Sequence, residues 1–309
     1  MTPTGGGLAK SWDRFWFAEI PPHIFAVLRI LFGLLGCISL AGLFDLPLFW
    51  TCDGLVASRD SSLCLVLAPR GLGWLPGYAV CGFAAISFIA MAIGFRTRLA
   101  VICAFGAVFL MAKWNDLPMS AAHQVLRAIL FCLVWADCGR VLSMDAWLRS
   151  REPSNEVDLG PLPIWPLRLI QIQVALIYFV TALWKLNNVL WRDGSALHYV
   201  FENPQFRRFA ALGSPGLDPW TTLATYATLG WELAFAFLVL HRRTRRWALI
   251  TGTVMHLGMW GLLELGPFSW LMLASYVAFL DPHRLRDLIT ERASYSWTGG
   301  SDPLRSSPV

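Results

Sequence analysis

Ionisable side chains occur inside stretches of this sequence that are otherwise apolar, where each one needs a partner or water. Lys185 and Tyr178 lie in one such stretch, Glu232 lies in another and His256 in a third. A lysine, a phenol, a carboxylate and an imidazole are side chains that enzymes use to transfer protons. Their types therefore indicate acid–base chemistry in an apolar environment.

The polar side chains recur at helical spacing, so that each apolar stretch has one polar face. Gln171, Tyr178 and Lys185 are spaced seven residues apart, and His123 and Arg127 are spaced four apart. Two further stripes at spacings of three or four residues are Thr221, Thr225, Thr228 and Glu232, and Thr253, His256, Trp260 and Glu264. We expect all of these faces to point into a helical bundle or a cavity.

Several of these residues also have a structural interpretation. Threonines in membranes commonly bond to their own helix backbone, so the threonine stripe alone favours packing. Arg29 and Arg168 lie near predicted helix ends, from which their side chains can extend to the membrane surface. Arg127 and Glu232 can form a structural ion pair. Two histidines, a lysine and a glutamate lie on separate inward faces. For this combination, a functional site is favoured over a purely structural role.

The elements that carry these residues are predicted to be membrane-spanning helices. Apolar and aromatic residues make up 56% of the 309 residues and charged residues 15%, and several apolar stretches lack the charged outer face of a soluble helix. The apolar segments are 24–48, 75–95, 99–113, 121–139, 164–186, 221–240, 247–263 and 267–281. The sequence therefore predicts an all-α integral membrane protein, a polytopic bundle of about eight transmembrane helices.

Lysine and arginine are concentrated in every second connection between the predicted spans, as expected for cytoplasmic loops. The cation-rich segments are Lys10 with Arg14, Arg96 with Arg98, Arg140 to Arg151, Arg242 to Arg246, and Arg284 with Arg286. The loops 49–74, 114–120 and 187–220 hold fewer cations for their length. We therefore expect a multi-pass protein of a bacterial cytoplasmic membrane, with both termini in the cytoplasm.

Three regions are predicted along the chain. Residues 1–23 form a cytoplasmic tail, in which aromatic and basic residues of segment 10–20 form an amphipathic helix at the membrane interface. Residues 24–283 form the transmembrane domain. Residues 284–309 form a cytoplasmic, largely disordered tail, since the chain is polar and rich in glycine, serine and proline toward its end.

Charge and cysteine content exclude some classes of partner. The net charge of +5 needs no nucleic acid to explain it, because the basic residues lie in short segments between the apolar stretches. The seven cysteines include no Cys-x-x-Cys pair, so no metal site is indicated. Cys52 and Cys64 share one loop and can form a disulfide if that loop faces an oxidising compartment.

The polar segments, taken in order, resemble the HTTM family of membrane proteins, whose best-known member is the vitamin K-dependent γ-carboxylase. The resemblance covers residues 14–283, nearly the whole chain. The segments that carry it are Arg29–Leu35, Ala122–Leu126, Ile177–Leu186, Trp191–Leu197, His256 and Gly266–Ala274.

This resemblance implies that oxygenation of a reduced, vitamin K-like quinone generates a strong base, which removes a glutamate γ-proton before carbon dioxide adds. The catalytic lysine of the carboxylase corresponds to Lys185, and a histidine implicated in its chemistry corresponds to His123. A lysine kept neutral by an apolar pocket could deprotonate a quinol hydroxyl, and His123 would then donate a hydrogen bond to the developing oxyanion. The first of the two adjacent lysines of the carboxylase is Trp184 here.

The predicted site has two parts, a catalytic one and one that binds the quinol. We expect Lys185, His123, Glu232 and His256 to line one enclosed cavity that opens toward the outer face. Oxygen and carbon dioxide would be co-substrates, and no metal is expected. The residues expected to bind the quinol are His256, Glu232, Tyr178, Arg127 and Trp260.

Two functions from different classes remain open on the sequence. The first is a quinol-dependent, carboxylase-like enzyme, a carbon–carbon lyase or oxidoreductase, acting on a secreted peptide or protein. The second is a non-enzymatic membrane factor for maturation or export of a peptide or protein partner, since small bacterial members of the family include one resembling a factor that matures a secreted peptide toxin. A transporter is less favoured, because clear inverted repeats are missing.

Overall fold

The computed structural model describes residues 6–44, 46–55, 62–151, 160–210 and 218–298, and the chain there is almost entirely helical. Short 3₁₀ turns cover Ala68–Arg70 and Tyr276–Phe279. The α-helices are α1 (Gly6–Phe17), α2 (His23–Phe44), α3 (Pro47–Trp50), α4 (Ser62–Leu67), α5 (Leu75–Ile93), α6 (Thr97–Trp114), α7 (Ala121–Val134), α8 (Met144–Arg149), α9 (Trp165–Leu186), α10 (Val189–Arg192), α11 (Ala196–Glu202), α12 (Asp218–Leu238), α13 (Arg245–Leu262), α14 (Phe268–Ser275) and α15 (Pro282–Thr298).

Each predicted apolar segment overlaps one of the longer helices or α14, which confirms the all-α membrane bundle. By length and composition, four helices in the described part of the chain are able to cross a membrane, namely α2, α5, α6 and α9. The helix α7 and the segment Phe268–Phe279 are apolar but shorter, and α12 and α13 carry more polar residues. The number of spans therefore stays a prediction.

Glycines let α2 pack closely against α5. A Cβ atom added to Gly33 would lie 2.8 Å from the backbone of Ala92, and one added to Gly36 would lie 2.3 Å from the ring of Phe88. Helices approach this closely in membranes only where the contact residues are small. The α2–α5 contact places Arg29, on the same helix, beside the end of α5.

Arg29 is fully buried and does not extend to the membrane surface. Its guanidinium donates to the backbone carbonyl groups of Met91 and Leu142, and so joins the end of α5 to the segment before α8. Asp145 of α8 accepts from the backbone N–H groups of Arg96 and Thr97 at 2.8 and 2.7 Å. Burial disfavours the Asp145 carboxylate, but these hydrogen bonds hold its pKa below the ordinary value.

The connecting segments gather at two ends of the bundle. At one of them, the inner end, the antiparallel strands β1 (Glu19–Ile20) and β2 (Leu162–Pro163) pair, close to α1 and the turn between α12 and α13. Arg140, shortly before α8, also donates to the carbonyl group of Gly160 there. At the opposite, outer end, the Asn115 amide donates to the carbonyl groups of Phe49 and Leu55, and Arg207 pairs with Leu263 in an isolated bridge. A Cys52–Cys64 disulfide also lies at the outer end.

Two of the predicted connecting regions contain more structure than the sequence indicated. The loop 49–74 includes α4 and the loop 187–220 includes α10 and α11. Residues 284–298 belong to helix α15, although we expected a largely disordered tail from residue 284 onward. The expectations for residues 1–5 and 299–309 lie outside the described residues.

Candidate functional site

A cavity of about 980 Å³ lies among α6, α7, α9, α13 and α14, with a contribution from α12. Phe109, Phe131, Leu176 and Val180 line it, are 42–49% exposed, and lie within the apolar helices α6, α7 and α9. The cavity is therefore open between these helices, whereas the sequence predicted an enclosed cavity that opens toward the outer face. In a membrane, an opening between apolar helices would give access from the bilayer.

The polar part of the cavity wall begins with an ion pair. The Lys185 ammonium on α9 donates to a carboxylate oxygen of Glu232 on α12, and both side chains are mostly buried. The ammonium also lies 4.4 Å from the centre of the Trp191 ring. The hypothesis of a neutral lysine base assumed that only apolar side chains surround Lys185. The structure instead places a carboxylate beside it, to which Lys185 donates a hydrogen bond.

A chain of three ring groups continues the polar part. The Tyr178 hydroxyl lies 2.5 Å from His256 Nε2 and 2.6 Å from the Tyr276 hydroxyl. If Tyr276 donates to Tyr178 and Tyr178 donates to His256, every hydroxyl proton is used, and the neutral imidazole then carries its proton on Nδ1. This arrangement leaves His256 Nδ1 as a hydrogen-bond donor.

Two polar atoms of this cluster are buried without a hydrogen-bond partner among the described residues. They are Glu232 Oε2, an acceptor, and His256 Nδ1, a donor in the arrangement above. An unpaired buried polar atom costs ~1–3 kcal/mol, so a polar partner at either atom would be stabilising. A hydroxyl group both donates and accepts, so it is of the right type to pair with either atom.

The remaining predicted site residues are placed differently. His123 is buried at the start of α7, where its Nδ1 accepts from the Ser120 backbone N–H at 3.1 Å. It is absent from the cavity lining, so three of the four residues expected to share a cavity do so. Trp260 lies outside the cavity and packs edge-on against Trp270, with ring centres 5.3 Å apart.

Arg127 lines the cavity, but it does not form the suggested ion pair with Glu232. Its guanidinium donates to the Gln124 side chain and lies 4.9 Å from the centre of the Phe109 ring. Lys185 reaches Glu232 instead, because α9 and α12 are in direct contact. Arg127 therefore lies on the aromatic side of the cavity, away from the ion pair.

Sequence analysis missed Tyr276, which lies in the last apolar segment as an isolated phenol. Its hydroxyl fits against α13 because residue 252 is glycine, and a Cβ atom there would lie 2.3 Å from that hydroxyl. A buried tyrosine in an apolar run normally has a hydrogen-bond partner. From the sequence, this rule indicates that Tyr276 has a hydrogen-bond partner, but it does not indicate which residue the partner is.

Comparison with known proteins gives partial relatives and one family. Sporulation-delaying protein SdpB of Bacillus subtilis (strain 168) is 29% identical over 121 residues, or 38% of this chain and 38% of that protein. Uncharacterized protein YitO of the same strain is 31% identical over 119 residues, or 37% of this chain and 38% of that protein. No solved structure matches the chain significantly.

These pairwise alignments span well under half of each relative, so they do not establish a shared activity. The profile of the HTTM domain, in contrast, matches residues 17–283. That range contains α2 to α14 and every side chain of the cavity wall. The chain belongs to the HTTM family.

Proposed function

We propose that the protein binds a lipid-soluble quinol in this cavity and uses it, with oxygen and carbon dioxide, in a carboxylase-like reaction on a peptide or protein at the outer membrane face. The observation that carries the proposal is an apolar cavity open to lipid, with a compact polar cluster in its wall. A quinol has the matching properties, since it is an apolar aromatic molecule with hydroxyl groups at its ring.

The cluster offers a quinol hydroxyl two atoms of the matching type. Glu232 Oε2 would accept the hydroxyl proton and His256 Nδ1 would donate to the hydroxyl oxygen. Phe105 and Phe131 supply aromatic surface for the ring, and Arg127 lies on the same side of the cavity. A volume of about 980 Å³ is at the upper end of the range for small-molecule sites, which leaves room for a ring and part of an isoprenoid chain. Bound there, a reduced quinone supplies the electrons for reaction with oxygen.

The base in this proposal is the ion pair rather than Lys185 alone. With Glu232 ionised, its Oε2 atom can take a proton directly, while Lys185 keeps the other carboxylate oxygen in place. Tyr178 fixes the orientation of the His256 ring through Nε2. His123, with Nδ1 committed to Ser120, would contribute only through its Nε2 atom, which is buried and unpaired among the described residues.

A second function has its own support. The Lys185–Glu232 pair joins α9 to α12 and can serve packing alone. One partial relative is named for delaying sporulation, a process far from carboxylation. On this alternative the protein is a non-enzymatic membrane factor for maturation or export of a peptide or protein partner.

Variants that remove the charges of the Lys185–Glu232 pair distinguish the two functions. The variants are Lys185→Met, Glu232→Gln and the double variant, which removes both charges and leaves no unpaired ion. In lipid nanodiscs we would measure quinol binding by tryptophan quenching, oxidation of a reduced naphthoquinone under oxygen, and carbon dioxide incorporation into added peptides. Loss of a general base costs about 10²- to 10⁴-fold in rate, so all three variants should lose oxidation while the double variant stays folded.

Two outcomes would contradict the enzymatic proposal. One is a double variant with more than half of the wild-type oxidation rate, because the pair would then be structural. The other is a wild-type protein that binds and oxidises none of the quinols tried, and this result would move the maturation factor to first place. Leu183→Met, on the lipid-facing side of α9, serves as the matched control.

A further inference from the structure

Three arginines from two segments of the chain lie near one another at the inner end. Arg168 lies in the first turn of α9, and Arg242 and Arg245 lie at the turn between α12 and α13. Their charges are close enough to act on one another. Contacts with neighbouring residues also place Arg168 near Arg245. Arg168 donates to the Gln171 side chain, whose amide donates to the carbonyl group of Ala278 at 2.7 Å. The Arg245 guanidinium lies 5.7 Å from the ring centre of Phe279, the residue after Ala278.

This cluster has no carboxylate partner among the described residues. The nearby acids have other contacts, since Asp281 accepts from the backbone N–H groups of His283 and Arg284, and Asp287 pairs with Arg286. Three like charges held together by the fold repel one another, and an anion bound between them would remove that repulsion. The cluster therefore has the charge that an anion-binding site needs.

The guanidinium groups keep N–H donors for which the described residues provide no acceptor. Arg168 donates through Nε to the Phe15 carbonyl and through one terminal nitrogen to Gln171. Arg245 donates through Nε and one terminal nitrogen to the carbonyl groups of the two residues that follow α12. Arg242 makes no hydrogen bond within the described part of the chain. Guanidinium forks of this kind match the oxygen atoms of a phosphate.

The surroundings favour a lipid phosphate over a free phosphate ion. The interfacial helix α1 covers the cluster on one side, with the Phe15 ring 4.7 Å from the Arg168 guanidinium. Phe237 of α12 and Trp247 of α13 flank the arginine turn, and both are exposed on the outside of the bundle. These rings provide an apolar surface where acyl chains can lie beneath a headgroup.

We propose that Arg168, Arg242 and Arg245 form a binding site for the phosphate group of an anionic phospholipid, in the leaflet that contains α1. Basic pockets between transmembrane helices recognise anionic headgroups in this way. The site is separate from the cavity that holds Lys185, Glu232 and His256, since none of the three arginines lines that cavity.

The test uses the whole protein purified in detergent. The thermal unfolding midpoint is followed during titration with phosphatidylglycerol, with phosphatidylcholine and with inorganic phosphate. We expect only phosphatidylglycerol to raise the midpoint at low concentration. Arg242→Gln should weaken its apparent affinity about fivefold, the change expected for one arginine near a charged lipid surface. This variant keeps the fold intact, because Arg242 makes no intramolecular hydrogen bond in the described structure.

Arg243→Gln is the matched control, since Arg243 is an exposed neighbour in the same turn. Its affinity for phosphatidylglycerol should equal that of the wild type. Three results would overturn the proposal. Equal stabilisation by phosphatidylcholine would show no headgroup preference, and equal stabilisation by inorganic phosphate would show a site for free anions. An equal loss in Arg242→Gln and Arg243→Gln would show diffuse surface charge instead of a site.

Discussion

At the scale of single residues, the Tyr178 hydroxyl connects three helical segments. It belongs to α9, its partner His256 belongs to α13, and Tyr276 lies in the 3₁₀ turn that follows α14. The Tyr178 ring also packs against Phe235 of α12, with ring centres 4.1 Å apart. One side chain thus holds the imidazole of the candidate site against the remainder of the bundle.

Replacing this tyrosine tests that connection. Tyr178→Phe keeps the ring but leaves His256 Nε2 and the Tyr276 hydroxyl without their common partner, at a cost of ~1–3 kcal/mol. We expect a clearly lower thermal unfolding midpoint in detergent and weaker quinol binding. Tyr226→Phe is the control, because the Tyr226 hydroxyl donates to the Arg192 carbonyl at an exposed position. Equal midpoints for the two variants would contradict the assigned role.

The sequence identified most of the polar cluster but not its pairings. Helical spacing placed Tyr178, Lys185, Glu232 and His256 on inward faces, because an ionisable side chain in lipid must point into the bundle. Spacing within one helix contains no information on which helices are neighbours. It therefore could not decide whether Glu232 pairs with Arg127 or with Lys185.

At the scale of helices, Gly33 is a point where α2 lies close to the backbone of α5. A Cβ atom at residue 33 would lie 2.8 Å from backbone atoms of Ala92, which cannot rotate away as a side chain can. Overpacking of this kind costs ~1–3 kcal/mol. Gly33→Ala should therefore lower the unfolding midpoint of the purified protein.

The same helix provides the control for this prediction. A Cβ atom at Gly42 meets no atom within 4 Å, so Gly42→Ala should leave the midpoint unchanged or raise it slightly through better helix propensity. If Gly33→Ala were as stable as Gly42→Ala, the two helices would be farther apart than described.

Long apolar runs predicted helices well for a physical reason. In lipid each backbone N–H and C=O group must bond within its own segment, so an apolar run of sufficient length has to be helical. The short helices α3, α10 and α11 have four to seven residues, which is too few to show a periodic pattern. Helix α15 was missed because its polar composition resembles that of a disordered tail.

At the scale of the whole molecule, the connections divide between two ends in the order that the cation distribution predicted. The inner end contains residues 140–151 around α8, the α12–α13 turn and α15, and each of these segments holds three or more arginines. The outer end contains the disulfide loop, residues 115–120 and the Arg207–Leu263 bridge. A disulfide persists in an oxidising compartment, so its position and the arginines support the same orientation.

We therefore predict that the inner end, with both termini, faces the cytoplasm. Alkaline phosphatase is active only outside the cytoplasm, so a fusion after Arg70 should be active and a fusion after Thr290 inactive. Green fluorescent protein at the same two positions should show the reverse pattern, which controls for expression. In the full-length protein, Cys52 and Cys64 should react with maleimide only after reduction, because they are bridged. An active phosphatase after Thr290 with an inactive one after Arg70 would invert the molecule, and the arginine cluster would then face the outer leaflet.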